Sequence, residues 1–143
     1  MLERQKAKKM KKSHLEAMSA KDRELMEKHS AMFEHLWHPP ECGEGWYDLL
    51  DELMTDLERE MAKTEASIKV RQIKEKFGGL RFYADTSSSF KQAFSLNDLI
   101  IAAEDKSFSI CEICGQEGEL RRKNGWLRTL CVSHWREWSE KNE

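Results

Sequence analysis

The spacing of apolar and polar positions predicts two helices in the first part of the chain. Apolar residues recur every three or four positions after Ser19, which favours a helix start, until Pro39 and Pro40 end the pattern. A second stripe of the same period follows, so helices are predicted over about 20–37 and 46–63, packed as an antiparallel pair. The apolar positions of the two stripes are Leu25, Met32 and Leu36, then Trp46, Leu50, Leu53, Leu57 and Met61.

Farther along, the apolar period falls to two, which is typical of β-strands. The alternation covers about 68–85 and is interrupted by the glycine-containing segment 77–79, so it predicts an antiparallel β-hairpin. A shift of phase near Gln72 indicates a β-bulge. After a polar loop, the pattern predicts one or two short helices, the later one over about 96–106 and started by Ser95.

Four side chains of metal-ligating type form two pairs near the C-terminus. Cys111 and Cys114 are three positions apart, and Gly115 permits the tight turn that such a pair makes around an ion. Cys131 and His134 form the second pair. Thiolates also hold iron, but the imidazole favours zinc, so we predict one structural zinc ion (Zn²⁺). Four protein ligands leave no position for a water nucleophile.

The residues around the two ligand pairs predict the fold of this region. Asn124-Gly125 is a strong hairpin-turn signal, flanked by strand-like segments over 119–123 and 126–130, and a helix is expected after Cys131. The order of knuckle, hairpin and ligand-bearing helix resembles the treble-clef family of zinc folds. The predicted fold class is therefore α+β, with an N-terminal helical pair, a central antiparallel β-hairpin and a C-terminal treble-clef-like zinc module over 107–143.

Composition and charge refine this division. The predicted units are a basic N-terminal segment over 1–18, an α+β region over 19–106 and the zinc module. We interpret the basic segment as a solvated tail, although an arm that contacts phosphate or an acidic partner is the alternative. The net charge of −2 argues against a protein that coats nucleic acid. With neither a signal-peptide pattern nor an apolar run of about 20 residues, a cytoplasmic protein without membrane contact is expected.

Known enzyme motifs fit the sequence poorly. The first part of the zinc deaminase signature, H-x-E, is present at 14–16. In the second part, P-C-x-x-C, Ile110 replaces the required proline, and Cys131 and His134 would have no role. Treble-clef nucleases need a further histidine on the hairpin, and the segment 115–130 contains none. We therefore predict that the protein is not an enzyme.

Two further side chains have competing interpretations. Cys42 lies near His35 and His38, so half of a second metal site is conceivable, although an inert thiol is the simpler interpretation. His29 falls within the first apolar stripe, where a histidine with satisfied hydrogen bonds in the core is the default expectation.

Several short motifs lie between residues 43 and 134, namely Gly45-Trp46, the run 73–83, the knuckle 111–115, Gly125-Trp126, and Leu130-Cys131 with His134. Together they resemble a group of small zinc-finger proteins of phages and prophages, for which no function is settled. The run K-E-K-F-G-G-L-R-F-Y is the most specific part. The resemblance implies a mobile-element protein acting within a bacterial host cell. By analogy, it suggests a protein that disables host machinery such as a defence system.

Three functions compete at this level. The first is a protein that binds a host protein or complex, and could inhibit a bacterial defence system, through exposed aromatic and arginine side chains. The second is a nucleic-acid-binding zinc finger, and the third is a structural component of a virion. The oligomeric state is open. The candidate contacts for a protein or nucleic-acid partner are Arg121, Arg122, Lys123, Trp126 and Arg128.

Overall fold

The computed structural model describes residues 18–36, 38–87 and 89–141, so the predicted basic segment lies outside it apart from Met18. These ranges form an α+β fold of four α-helices and two small antiparallel hairpin sheets. None of the helices in these ranges is long and apolar enough to cross a membrane. In chain order the elements are α1 (Ala20–Lys28), a 3₁₀ turn (Glu44–Trp46), α2 (Tyr47–Lys63), β1 (Ser67–Lys76), β2 (Gly79–Ser87), α3 (Phe90–Ser107), β3 (Glu119–Lys123), β4 (Trp126–Leu130) and α4 (Val132–Glu140).

Helix α1 begins where the sequence predicts and ends earlier. The Ser19 hydroxyl accepts a hydrogen bond from the Asp22 backbone, and the Asp22 carboxylate accepts one from the Ser19 backbone, which forms a capping box. The helix ends at Lys28 rather than at 37. His29 leaves the helical conformation (φ −116°, ψ 39°), and the following turns bury the remaining apolar residues without helical geometry.

The contacts between α1 and α2 correct the expected antiparallel arrangement. Asp22, in the first turn of α1, contacts Tyr47 at the start of α2, whereas His29, beyond the end of α1, contacts Glu58 farther along α2. Both helices therefore advance in the same direction. The connection over 29–43 is long enough to return the chain to the start of α1 before α2 begins.

The central hairpin forms as the apolar alternation predicts. Strands β1 and β2 pair in antiparallel fashion, and the register shifts between Val70 and Gln72, which confirms the predicted bulge. Phe77 and Gly78 form the turn, with positive φ angles of 54° and 85°. The side chain of Phe77 is therefore carried at the tip of the hairpin, where it is exposed.

Helix α3 is one long helix rather than a short helix started by Ser95. It is capped by Ser89, whose hydroxyl accepts from the Gln92 backbone, while the Gln92 side chain accepts from the backbone of Ser89. The Ser-x-x-Gln pattern at 89–92 is the sequence signature of this capping box.

Side chains of α3 cover the outer edge of β2. The Leu80 amide donates to the Ser107 hydroxyl at 2.9 Å, and the Phe82 amide donates to the Glu104 carboxylate at 2.9 Å. Such contacts satisfy groups that an open sheet edge would leave unpaired. The main core lies between α2, the central hairpin and α3, and its largest fully buried side chains include Trp46, Leu50, Met54, Leu57, Val70, Ile73, Leu80 and Leu96.

Candidate metal centre

The first ligand pair lies on a tight knuckle. The amide of Gly115 donates to the carbonyl of Cys111 at 2.9 Å, and the positive φ of Gly115, 82°, turns the chain sharply behind Cys114. The amide of Cys111 donates to the carbonyl of Gln116 at 2.7 Å. These bonds hold the Cys111 and Cys114 sulfurs on one side of the turn. The Cys111 side chain is buried, and that of Cys114 is exposed.

The second ligand pair lies at the start of α4. Cys131 is the N-cap residue, and its sulfur accepts a hydrogen bond from the His134 backbone at 3.5 Å. His134 follows one turn later, so its imidazole lies on the same face of the helix as the Cys131 sulfur. The amide of Trp135 donates to the Cys131 carbonyl at 2.8 Å, which fixes this first turn.

The four side chains form a cluster of tetrahedral size. The three sulfurs and one imidazole nitrogen all lie within 4.8 Å of one another. The Cys114 and Cys131 sulfurs are 3.8 Å apart, and His134 Nδ1 is 3.6 Å from the Cys111 sulfur and 3.2 Å from that of Cys131. Standard zinc bond lengths give tetrahedral edges of about 3.8 Å between sulfurs and about 3.5 Å between sulfur and nitrogen. The structure therefore brings the predicted ligands together in a cluster suited to one metal ion.

The electrostatics of the cysteines favour a bound cation. Burial acts to raise the pKa of the Cys111 thiol, but hydrogen bonds from the backbone at Cys131, Cys114 and Ile113 outweigh it and lower this pKa to about 6. Desolvation raises the pKa of Cys114, and the neighbouring Cys111 and Cys131 sulfurs raise it further. A metal ion among these sulfurs would offset their mutual repulsion.

Little apolar packing surrounds this cluster. Its buried residues are Cys111, Leu130 and Cys131, and the partly buried Trp135 and Trp138 pack against them. The two tryptophan rings meet edge to face, with centroids 5.8 Å apart. A core of this size contributes little stability by itself.

Most of the candidate basic contacts of the hairpin already have intramolecular partners. The guanidinium of Arg121 lies 5.5 Å from the ring centroid of Trp135, and that of Arg128 lies 5.4 Å from the centroid of Trp138. The ammonium of Lys123 lies 5.8 Å from the same Trp138 ring and donates to the Trp138 carbonyl at 2.6 Å. These three cations therefore join the hairpin to α4.

The remaining candidate contacts, Arg122 and Trp126, are exposed. Trp126 also lines a groove that the sequence did not indicate. Trp126 is 75% exposed beside the Asn124-Gly125 turn, and Phe77 is 67% exposed in the turn of the central hairpin. Both line one groove of about 1010 Å³. Its other lining residues are Glu41, Glu75, Lys76, Glu112, Lys123, Asn124, Gly125, Leu127, Arg128 and Trp138.

Buried hydrogen bonds hold the metal centre against the rest of the chain. The Trp46 indole donates to the Ile110 carbonyl at 2.8 Å, and the Gly45 amide donates to the Glu112 carbonyl at 2.8 Å. The Thr129 hydroxyl donates to a backbone carbonyl in the central hairpin turn at 2.6 Å. A Cβ atom at Gly45 would lie 2.2 Å from a backbone oxygen of the knuckle, so only glycine permits this close approach.

The remaining polar candidates lie apart from the metal centre. Burial, followed by the charges of Glu112, Asp22 and Glu75, raises the pKa of the Cys42 thiol to about 12. Among residues 18–36, 38–87 and 89–141, no second group of three or more metal-ligating side chains has all its ligand atoms within 4.8 Å of one another, so the half-site interpretation of Cys42 has no support there. His29 is buried, as expected for a core histidine, with ring contacts to carboxylates of α2.

Comparisons of the chain with protein-family models, with curated proteins and with solved structures gave no match.

Proposed function

We propose that the protein is a non-enzymatic, zinc-stabilised binding protein whose contact surface is the groove between the two hairpin turns. The observation that carries this proposal is the position of the exposed aromatic side chains. Phe77 and Trp126 are the most exposed large apolar side chains of the described residues, and both flank the same groove. Large aromatic side chains that frame one concave surface are typical of binding hot spots.

Zinc is the ion that suits the cluster best. Three thiolates and an imidazole at tetrahedral distances form a Cys₃His site, which is a common structural zinc site. A treble-clef arrangement is supported by the order of knuckle, β3–β4 hairpin and α4, with two ligands from the knuckle and two from the first turn of the helix.

The proposed role of the ion is structural. Four protein ligands complete the tetrahedron, so no position remains for substrate or water. The apolar cluster beside the ion is small, as only Cys111, Leu130 and Cys131 are buried there. Zinc binding should therefore supply much of the free energy of folding of this module, on the order of 10 kcal/mol at neutral pH.

Charge favours a protein partner over nucleic acid. Arg121, Lys123 and Arg128 already contact Trp135 and Trp138, which reduces the cations available for phosphate. Three carboxylates, of Glu41, Glu75 and Glu112, line the groove and offset the charge of its three cations, so the groove offers no net positive charge to a phosphate backbone. A host protein or complex of a bacterial cell is the partner that the phage resemblance favours, with inhibition of host defence as the working hypothesis.

A capture experiment tests the proposal. The tagged, zinc-loaded chain, the double variant Phe77→Ser with Trp126→Ser, and the control Tyr83→Ser would be incubated with bacterial lysate. Tyr83 is a suitable control because it is exposed on β2 but does not line the groove. We expect a protein that is retained at moderate salt by the wild type and the control, and lost from the groove variant. Equal capture by all three chains would contradict the proposal.

The same experiment separates the alternative function. Nucleic-acid binding predicts capture that nuclease treatment abolishes, that weakens steeply with salt and that Arg122→Glu removes. Such a result would replace the protein-binding proposal with the second hypothesis of the sequence analysis.

A further inference from the structure

The groove between the turns contains carboxylates as well as aromatic rings. Glu41 and Glu75 lie on the side of the central hairpin, and Glu112 lies in the knuckle of the metal centre, next to Cys111. Glu112 is only 8% exposed although it lines the groove. Its carboxylate therefore has little access to bulk water other than through the groove.

The carboxylates of Glu75 and Glu112 retain unused acceptor capacity. One oxygen of Glu75 accepts from the Gly78 amide at 3.1 Å, and one oxygen of Glu112 accepts from the Gly43 amide at 3.0 Å. A carboxylate can accept several hydrogen bonds, so a donor that enters the groove would find acceptors already in place.

Three cations also line the groove, and two of them are held by contacts with α4. Lys123 and Arg128 contact the Trp138 ring, and Lys123 also donates to a backbone carbonyl. Arg128 and Glu112 both line the groove but form no ion pair with each other. The third, the exposed Lys76, lies 5.6 Å from the centroid of Phe77, so this ring accepts a cation, and a cation of the partner would replace Lys76 there.

We propose that the groove binds an arginine or lysine side chain that projects from the partner protein, held between the Phe77 and Trp126 rings with its charged end directed at Glu75 and Glu112. This inference rests on the proposed function and names the chemistry of its partner. Aromatic faces attract cations, and carboxylates form the strongest hydrogen bonds with guanidinium and ammonium groups.

A peptide titration tests the inference on the full-length, zinc-loaded chain. The probes are acetyl-Gly-Gly-Arg-Gly-Gly-amide and a counterpart in which citrulline, a neutral group of similar shape, replaces arginine. Binding is followed by nuclear magnetic resonance of the Trp126 indole N–H. We expect saturable shifts with the arginine peptide at millimolar concentration, and binding of the citrulline peptide that is weaker by about tenfold. Equal binding of the two peptides would overturn the inference.

Matched variants separate the groove from general electrostatic attraction. Glu41→Gln with Glu75→Gln removes two negative charges inside the groove, whereas Glu119→Gln with Glu137→Gln removes two exposed charges outside it. Glutamine retains an acceptor oxygen, so the fold should persist, as the spectrum would verify. We expect the first pair of substitutions to weaken binding of the arginine peptide by about fivefold, and the second pair to weaken it by less than about twofold. Equal effects would show non-specific attraction and would refute the inference.

The two proposals fail in distinguishable ways. If the arginine peptide does not bind, but the variant of Phe77 and Trp126 still loses a captured protein, the inference is wrong and the proposed function stands. If neither binding of the peptide nor capture of a lysate protein depends on these two aromatic residues, the groove is not a binding surface, and both proposals are wrong.

Discussion

Substitution of Thr129 by valine tests how the metal centre is attached to the central hairpin. Thr129 is fully buried on β4, and its hydroxyl donates to the Gly78 carbonyl at 2.6 Å. Its own carbonyl accepts from the Glu112 amide at 3.0 Å. Valine preserves the shape of the side chain and the backbone bond but removes the hydroxyl, so Thr129→Val isolates the contact with Gly78.

The expected cost follows from the burial of both groups. Gly78 is buried, so its carbonyl would lose the Thr129 donor without gaining water. An unsatisfied buried carbonyl costs about 1–3 kcal/mol of the free energy of unfolding. For a chain of 143 residues this corresponds to a fall in Tm of roughly 3–10 °C.

Thermal and urea unfolding of the zinc-loaded protein, followed by circular dichroism, provide the assay. The matched control is Thr86→Val, because Thr86 is exposed on β2 and its side chain forms no hydrogen bond in the described part of the chain. We expect the control to change stability by less than about 0.5 kcal/mol. If Thr129→Val is as stable as the wild type, the attachment of the two hairpins through this bond is refuted.

Three further predictions concern buried groups outside the groove. In His29→Gln, Asp51 loses the histidine contact that lowers its pKa. The ionised Asp51 stabilises the fold above about pH 4, and this contribution is lost on acidification. Urea unfolding across pH 2–5 should therefore show a smaller loss of stability in the variant than in the wild type. Cys42, with a pKa of about 12, should remain a thiol at pH 8 and react with iodoacetamide at least about tenfold more slowly in the native state than after unfolding, as read by mass spectrometry. In Gly45→Ala, the new Cβ would lie 2.2 Å from the Cys111 carbonyl oxygen, so the substitution should lower the free energy of unfolding by about 1–3 kcal/mol and weaken zinc binding. A competition titration with a chelator measures this affinity, and an unchanged affinity would argue against close packing of Gly45 on the knuckle.

Features encoded by neighbouring residues could be predicted from the sequence. The Asn124-Gly125 turn fixed the bounds of β3 and β4 because both turn residues adopt the positive φ angles that this dipeptide favours. The bulge near Gln72 followed from a shift of apolar phase, which reflects the same local pairing. The spacing of the cysteines and His134 predicted the cluster for a similar reason, since each ligand pair lies within a single turn.

Features that depend on distant residues could not be predicted in this way. Helix α1 ends at Lys28, just before His29, and the carboxylates that His29 contacts, those of Asp51 and Glu58, belong to another helix. The groove is framed by Phe77 and Trp126, which belong to separate hairpins, and no local pattern indicates that their turns face one space. The partners of the basic hairpin residues could not be predicted either, because the tryptophan rings that they contact belong to α4.

The metal content of the purified full-length protein tests the central claim most directly. Elemental analysis after exhaustive dialysis should find about one zinc ion per chain, and the variant Cys111→Ser with His134→Ala, which removes two of the four ligands, should retain almost none. A wild-type chain that contains no zinc, or a variant that holds as much zinc as the wild type, would contradict the account.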